Sequence, residues 1–139
     1  MLFDEALVPV CSPDLGPLTS MDDLAGFPLL HRSADKQAWI DWLSANHGNP
    51  LESYRHIPFN LDELALDAAA RGLGVAVTDM TLADESIQRG VLVIPFGEPL
   101  KTGGNYSLCP QPLAAGHPAC SRVLQWFAEQ AQQARVSGA

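Results

Sequence analysis

The chain has 139 residues, 47% of them apolar and 17% charged, a balance that fits one globular domain with a core and argues against disorder. Eight Lys and Arg stand against sixteen Asp and Glu, for a net charge of −8, so no basic stripe is available to neutralise a phosphate backbone and direct nucleic-acid binding is disfavoured. No apolar run approaches the roughly 20 residues that span a bilayer, and residues 1–20 lack the basic start and long apolar stretch of a secretory leader, so a cytoplasmic chain with no membrane partner is expected.

Residues 5–11, EALVPVC, read as a strand that Pro9 confines to an edge or to a crossing between sheets, because proline offers no ladder donor. After the loop SPDLGPLTS, Ser20 is placed to cap a short helix over residues 21–25, with Asp23 suited to its positive end and Gly26 as its stop. FPLLH is a short buried strand. Ser33 or Asp35 is the expected cap of the next helix, where Ala38, Trp39, Trp42 and Leu43 fall at helical spacing before Gly48 and Pro50 end the element. SYRHIPF is a further strand.

The segment LDAAARGLGVAVTD holds a G-x-G pair, but a dinucleotide fingerprint needs its glycines between a strand and the helix that follows. Here the order is reversed. Asn60 with Glu63 approximates a capping box, Leu61, Leu64, Ala65 and Ala68 form one apolar face, Gly72 supplies a helix stop, and VAV continues as a strand buried on both sides. The same grammar returns in LADESIQRG followed by VLVIPF, so two helices each end in Arg-Gly and each hands over to a valine-rich strand. That alternation predicts an α/β fold. GEPLKTGG is expected as a turn region and YSLCP as a strand. Pro118 should open a terminal helix striped with Val123, Leu124, Phe127 and Ala131, and residues 133–139 should fray.

A search for chemistry finds little. Cys11, Cys109 and Cys120 have no CxxC spacing and are expected to be small buried apolar residues. His31, His47, His56 and His117 lack zinc spacing, and no serine sits in a nucleophile elbow, so neither a metal nor any other cofactor is expected and a non-enzyme is the favoured reading. A small hydrolase built on His31 or His56 beside a carboxylate is the rival. Binding has better support, because open α/β sheets place ligands outside the carboxyl ends of their strands. Two such ends stand out, one leaving through His31, Arg32 and Ser33 and the other through Phe59 and Asn60. If the two strands are neighbours, both helix starts converge on one crevice suited to a small anion, although Asp62 and Glu63 weaken its charge.

Taken in order, LVPVCSPDL, DLAGFPLLH, the spaced tryptophans, LALDAAARGLGVAVTD, SIQRGVLVIPFGEP and YSLCP resemble the later part of the effector-binding domain of LysR-type transcriptional regulators, nearest to the branch of glycine-cleavage activators and β-lactamase regulators. The resemblance covers residues 2 to about 132. It implies a fold like type 2 periplasmic binding proteins, with one complete lobe plus part of the other: residues 1–11 a crossing strand and hinge, 12–98 the second lobe, and 99–132 a return hinge with the end of the first lobe. It also implies a small-molecule effector held between lobes, with His31, Arg32, Ser33, Asn60 and Leu61 as contacts and Thr78 as a further one. The family's winged helix-turn-helix has no counterpart in these residues, so contact with DNA would pass only through such a module. One wall of the cleft implies weak effector binding, and the family pairs its lobes between subunits, so a homo-oligomer is expected. A solute-binding protein of the same fold is the remaining alternative.

Overall fold

A computed structural model describes residues 2–137. The chain divides into two compact units, one running Ala6–Thr102 and the other made of the chain through Glu5 together with the chain from Gly103. The elements are β1 (Phe3–Val10), α1 (Met21–Leu24), β2 (Leu29–His31), α2 (Gln37–Ala45), a 3-10 turn (Leu51–Ser53), β3 (His56–Pro58), α3 (Asp62–Ala70), β4 (Val75–Asp79), α4 (Met80–Gln88), β5 (Leu100–Tyr106), α5 (Pro112–Ala115) and α6 (Pro118–Ser137). The five strands form one mixed sheet in the order β3-β2-β4-β1-β5, in which β2 is parallel to both β3 and β4 while β1 runs antiparallel to β4.

Alternation along the strands builds the larger unit. Leu7, Leu29, Val75 and Val77 point to one side of the sheet, where Trp39, Trp42 and Leu43 of α2 and Leu24 of α1 cover them. Val8, Val10, Leu30 and Ala76 point to the other, against Ala68 and Ala69 of α3 and Ala83 of α4. Alanines let α3 and α4 lie close to the sheet, whereas the tryptophans fill a thicker layer and meet edge to face, with ring centroids 5.8 Å apart. β4 is buried along its whole length, as a strand covered on both faces requires.

Both Arg-Gly pairs close their helices in the same way. After α3, the N–H of Gly72 donates to the Ala69 carbonyl and that of Leu73 to Ala68; after α4, Gly90 donates to Ile87 and Val91 to Ser86. This is the paired closure of a Schellman motif, and both glycines take the positive φ that it needs, +81° and +73°.

Several expectations are corrected. Of the two placements expected for Pro9, an edge or a crossing between sheets, the edge is excluded, since its strand lies between β4 and β5. Neither Ser33 nor Asp35 is the N-cap of α2: Lys36 holds that position with φ +58°, although Asp35 Oδ1 does accept from the Gln37 N–H at 3.1 Å. The capping box at Asn60 does not form, because α3 starts one residue later than such a cap requires, with Leu61 as N-cap. The buried face of α3 is Ala65, Ala68 and Ala69, leaving Leu61 and Leu64 exposed. VLVIPF is no strand: Val93 makes one bridge with Cys11 before Pro95 interrupts further pairing. The next strand is β5, over residues expected as a turn, and Ser107 to Pro110 has no regular structure. Among the cysteines Cys11 alone is buried, while Cys109 is exposed and Cys120 half-buried. Residues 133–137, expected to fray, continue α6; Gly138 and Ala139 lie outside the described residues.

Candidate functional site

β2 and β3 are parallel neighbours, with Leu29 beside His56, Leu30 beside Ile57 and His31 beside Pro58. The chain therefore leaves both strands at the same edge of the sheet. The loop after β2 and the loop after β3 are tied together there by the Phe59 N–H, which donates to the His31 carbonyl at 2.8 Å. Between them lies an open depression of about 600 Å³ lined by Ser33, Ala34, Pro58, Phe59 and Asn60. Its position outside the carboxyl ends of parallel strands is where open α/β sheets hold ligands.

Of the expected contacts, Ser33 and Asn60 meet in this depression. The Ser33 hydroxyl donates to Asp35 Oδ1 at 2.6 Å, and that bond, with the Gln37 amide, holds the Asp35 carboxyl below the usual carboxylate range. Asp35 thus occupies the anion position at the start of α2. Arg32 is half-buried and stands next to the wall in sequence without lining it. Leu61 is 57% exposed and also lies outside the lining. Thr78 is fully buried in β4, and its hydroxyl donates to Asp62 Oδ2 over a long 3.4 Å. Burial pushes the Asp62 carboxyl up, against the opposing pull of Arg32 and Thr78, and Asp62 Oδ1 is buried without a hydrogen-bond partner.

His31 is not a wall residue. It is only 2% exposed, and its Nε2 lies 2.8 Å from Nδ1 of His56, whose Nε2 lies 2.8 Å from the Leu51 carbonyl. Burial, followed by the neighbouring His56 and Lys36, pushes the His31 pKa down to about 4. Sequence reasoning named both histidines but could not pair them, since 25 residues separate them and only the β2/β3 register puts them on one face. The ring nitrogens of the pair meet each other and the Leu51 carbonyl, and not the Asp or Glu on which the hydrolase alternative was built. Among the described residues no cluster of three or more His, Cys, Asp and Glu side chains is placed to hold a metal ion, and no helix is long and apolar enough to cross a membrane.

Comparison with known proteins accounts for this architecture. A LysR substrate binding domain model matches residues 1–132. The glycine cleavage system transcriptional activator of Escherichia coli (strain K12) is 33% identical over 132 residues, covering 91% of this chain and 42% of that protein. The HTH-type transcriptional regulator TrpI of Pseudomonas aeruginosa is 33% identical over 135 residues, covering 93% and 45%. The effector domain of the transcriptional regulator AmpR of Pseudomonas aeruginosa superposes with a TM-score of 0.78 at 27% identity, covering 99% of this chain and 68% of that one. The chain spans less than half the length of these two curated relatives, both of them transcriptional regulators. A family model that matches residues 1–132 and two relatives at 33% identity over more than nine-tenths of this chain lead to one conclusion: the chain belongs to the LysR substrate-binding domain family.

Proposed function

We propose that this chain is the ligand-sensing part of a cytoplasmic LysR-type transcriptional regulator, and that the depression between the β2 and β3 loops is one wall of its effector site. The observation that carries this reading is the junction at His31, which brings Ser33, Ala34, Pro58, Phe59 and Asn60 around one open space at the carboxyl ends of parallel strands. The proposed effector is a small molecule bearing a carboxylate, met by Asn60 and by the neighbouring Arg32, with the exposed Leu61 beside them; Thr78, fully buried and bonded to Asp62, is not a contact. Signalling is a population shift: the effector moves the balance between lobe arrangements by no more than its differential affinity for them. DNA is reached only through a helix-turn-helix module outside these residues. Self-association of the chain is part of the same proposal, supported by the exposed Val123, Trp126 and Phe127 of α6.

A millimolar Kd corresponds to only about 4 kcal/mol, which is the scale a single wall can supply. Amide spectra recorded while acetate or glycine is added should move the signals of Ser33, Ala34, Phe59 and Asn60 in the millimolar range. Ala34→Trp, which places an indole in the depression, should weaken the response. Shifts confined to other parts of the chain would refute the assignment.

A further inference from the structure

We infer that His56, which lines no wall of the depression, is a positioning residue for the effector site and acts through His31; the inference rests on the effector reading above. The hydrogen-bond chain has one direction. A carbonyl oxygen can only accept, so the bond between His56 Nε2 and the Leu51 carbonyl requires the proton of His56 on Nε2. In the neutral ring this leaves Nδ1 bare, and Nδ1 can then only accept from His31 Nε2, 2.8 Å away. His31 in turn carries its proton on Nε2 and has a bare Nδ1. Three groups on three elements, the 3-10 turn at Leu51–Ser53, β3 and β2, thus fix one tautomer and one ring orientation for a residue that is almost fully buried.

His31 is the point where both loops of the site are anchored. Its carbonyl holds the Phe59 N–H, and Phe59 stands between Pro58 and Asn60 in one wall; its own chain continues through Arg32 into Ser33 and Ala34 in the other. A ring free to turn at this junction would loosen both walls together. Phe59 packs beside the alanine-rich layer of α3 and α4, and His31 lies on the face that α2 covers, so the junction is gripped from both sides of the sheet. The grip on the second side includes Trp39 of α2, whose Nε1 donates to the Leu30 carbonyl at 3.0 Å, one residue before His31.

Long-range 1H–15N spectra of the imidazoles test the assignment without any substitution. Where both imidazoles are neutral, His31 and His56 should both show a protonated Nε2 and a bare Nδ1; a proton on Nδ1 of His31 would overturn the inference. His56→Phe keeps a ring and removes the acceptor, so the His31 nitrogens should average between tautomers, the Ser33, Phe59 and Asn60 amides should move, and the affinity for glycine or acetate should fall by about tenfold, the loss of one buried hydrogen bond. His56→Asn offers an oxygen near the Nδ1 position and should restore the single tautomer and most of that affinity. Unchanged His31 nitrogens and loop amides in His56→Phe would likewise sink the positioning role. If the wild-type tautomers and the loop shifts of His56→Phe are as stated but neither probe moves Ser33, Ala34 or Asn60, the effector reading fails and the positioning of the two loops stands.

Discussion

Asp79 has no exposed surface, yet its carboxylate meets three backbone donors. Oδ1 accepts from Thr81 N at 2.8 Å and Leu82 N at 3.4 Å at the start of α4, and Oδ2 accepts from Ala6 N in β1 at 2.8 Å. Losing a helix cap costs about 1 kcal/mol and leaving a buried N–H unpaired costs about 2 kcal/mol more, so Asp79→Ala should lower the unfolding free energy by about 3 kcal/mol in urea titrations. Asp79→Asn, which keeps one acceptor, should lose less. His31 sets a pH dependence of known sign. Its pKa is pushed down to about 4 from an ordinary 6.5, so below pH 6.5 the unfolded chain takes up a proton that the folded chain refuses. Its contribution is complete above pH 6.5 and is lost as the pH falls towards 4, by up to about 3 kcal/mol. The raised carboxyl of Asp62 works in the opposite sense, because there the folded state holds its proton more readily. Urea midpoints measured from pH 7 to pH 4 should therefore fall for the wild type and fall less for His31→Asn.

At the level of elements, the G-x-G at Gly72 and Gly74 contains two different jobs. Gly72 ends α3 with φ +81° and open space around it, so Gly72→Ala should cost about 1 kcal/mol, the conformational penalty alone. Gly74 has an ordinary φ but no room: a Cβ there would stand 2.3 Å from the Pro28 carbonyl oxygen, which itself accepts from Val75 N. Since that obstacle is main chain in a packed layer, Gly74→Ala should cost about 3 kcal/mol and should disturb the start of β4 in amide spectra. Both helix stops and the valine strand after the first were legible because their causes are local, in a positive-φ glycine and a run of β-branched residues. VLVIPF looked the same and is not a strand, since a ladder depends on a partner with free edge and on donors that Pro95 lacks, which local pattern does not report. β5 was missed for the converse reason: LKTGGNY has turn residues, and only its place beside β1 makes it a strand. At the site, Ser33 and Asn60 were readable from the strand-to-helix exits. The burial of His31 and its bond to His56 were not, because they follow from the register of two strands.

The two units of the whole molecule differ in how well they are covered. Among the described residues the buried apolar side chains lie in Ala6–Thr102, whereas α6 carries Val123, Trp126 and Phe127 exposed. Trp126 is 54% exposed and packs edge to face on Phe127 with centroids 5.1 Å apart, so two aromatic rings and a branched side chain form one apolar patch. Exposed patches of this kind drive association, because removing apolar surface from water is worth about 25 cal/mol per Å². Sedimentation velocity should accordingly show a coefficient that rises with protein concentration. Trp126→Lys combined with Phe127→Lys should hold the chain as a monomer and leave the urea midpoint of the larger unit unchanged, since neither side chain belongs to its core. A wild-type chain that sediments as a monomer at every concentration would show that the patch is too small to offset the entropy of pairing, and the proposed self-association of this chain would fall with it.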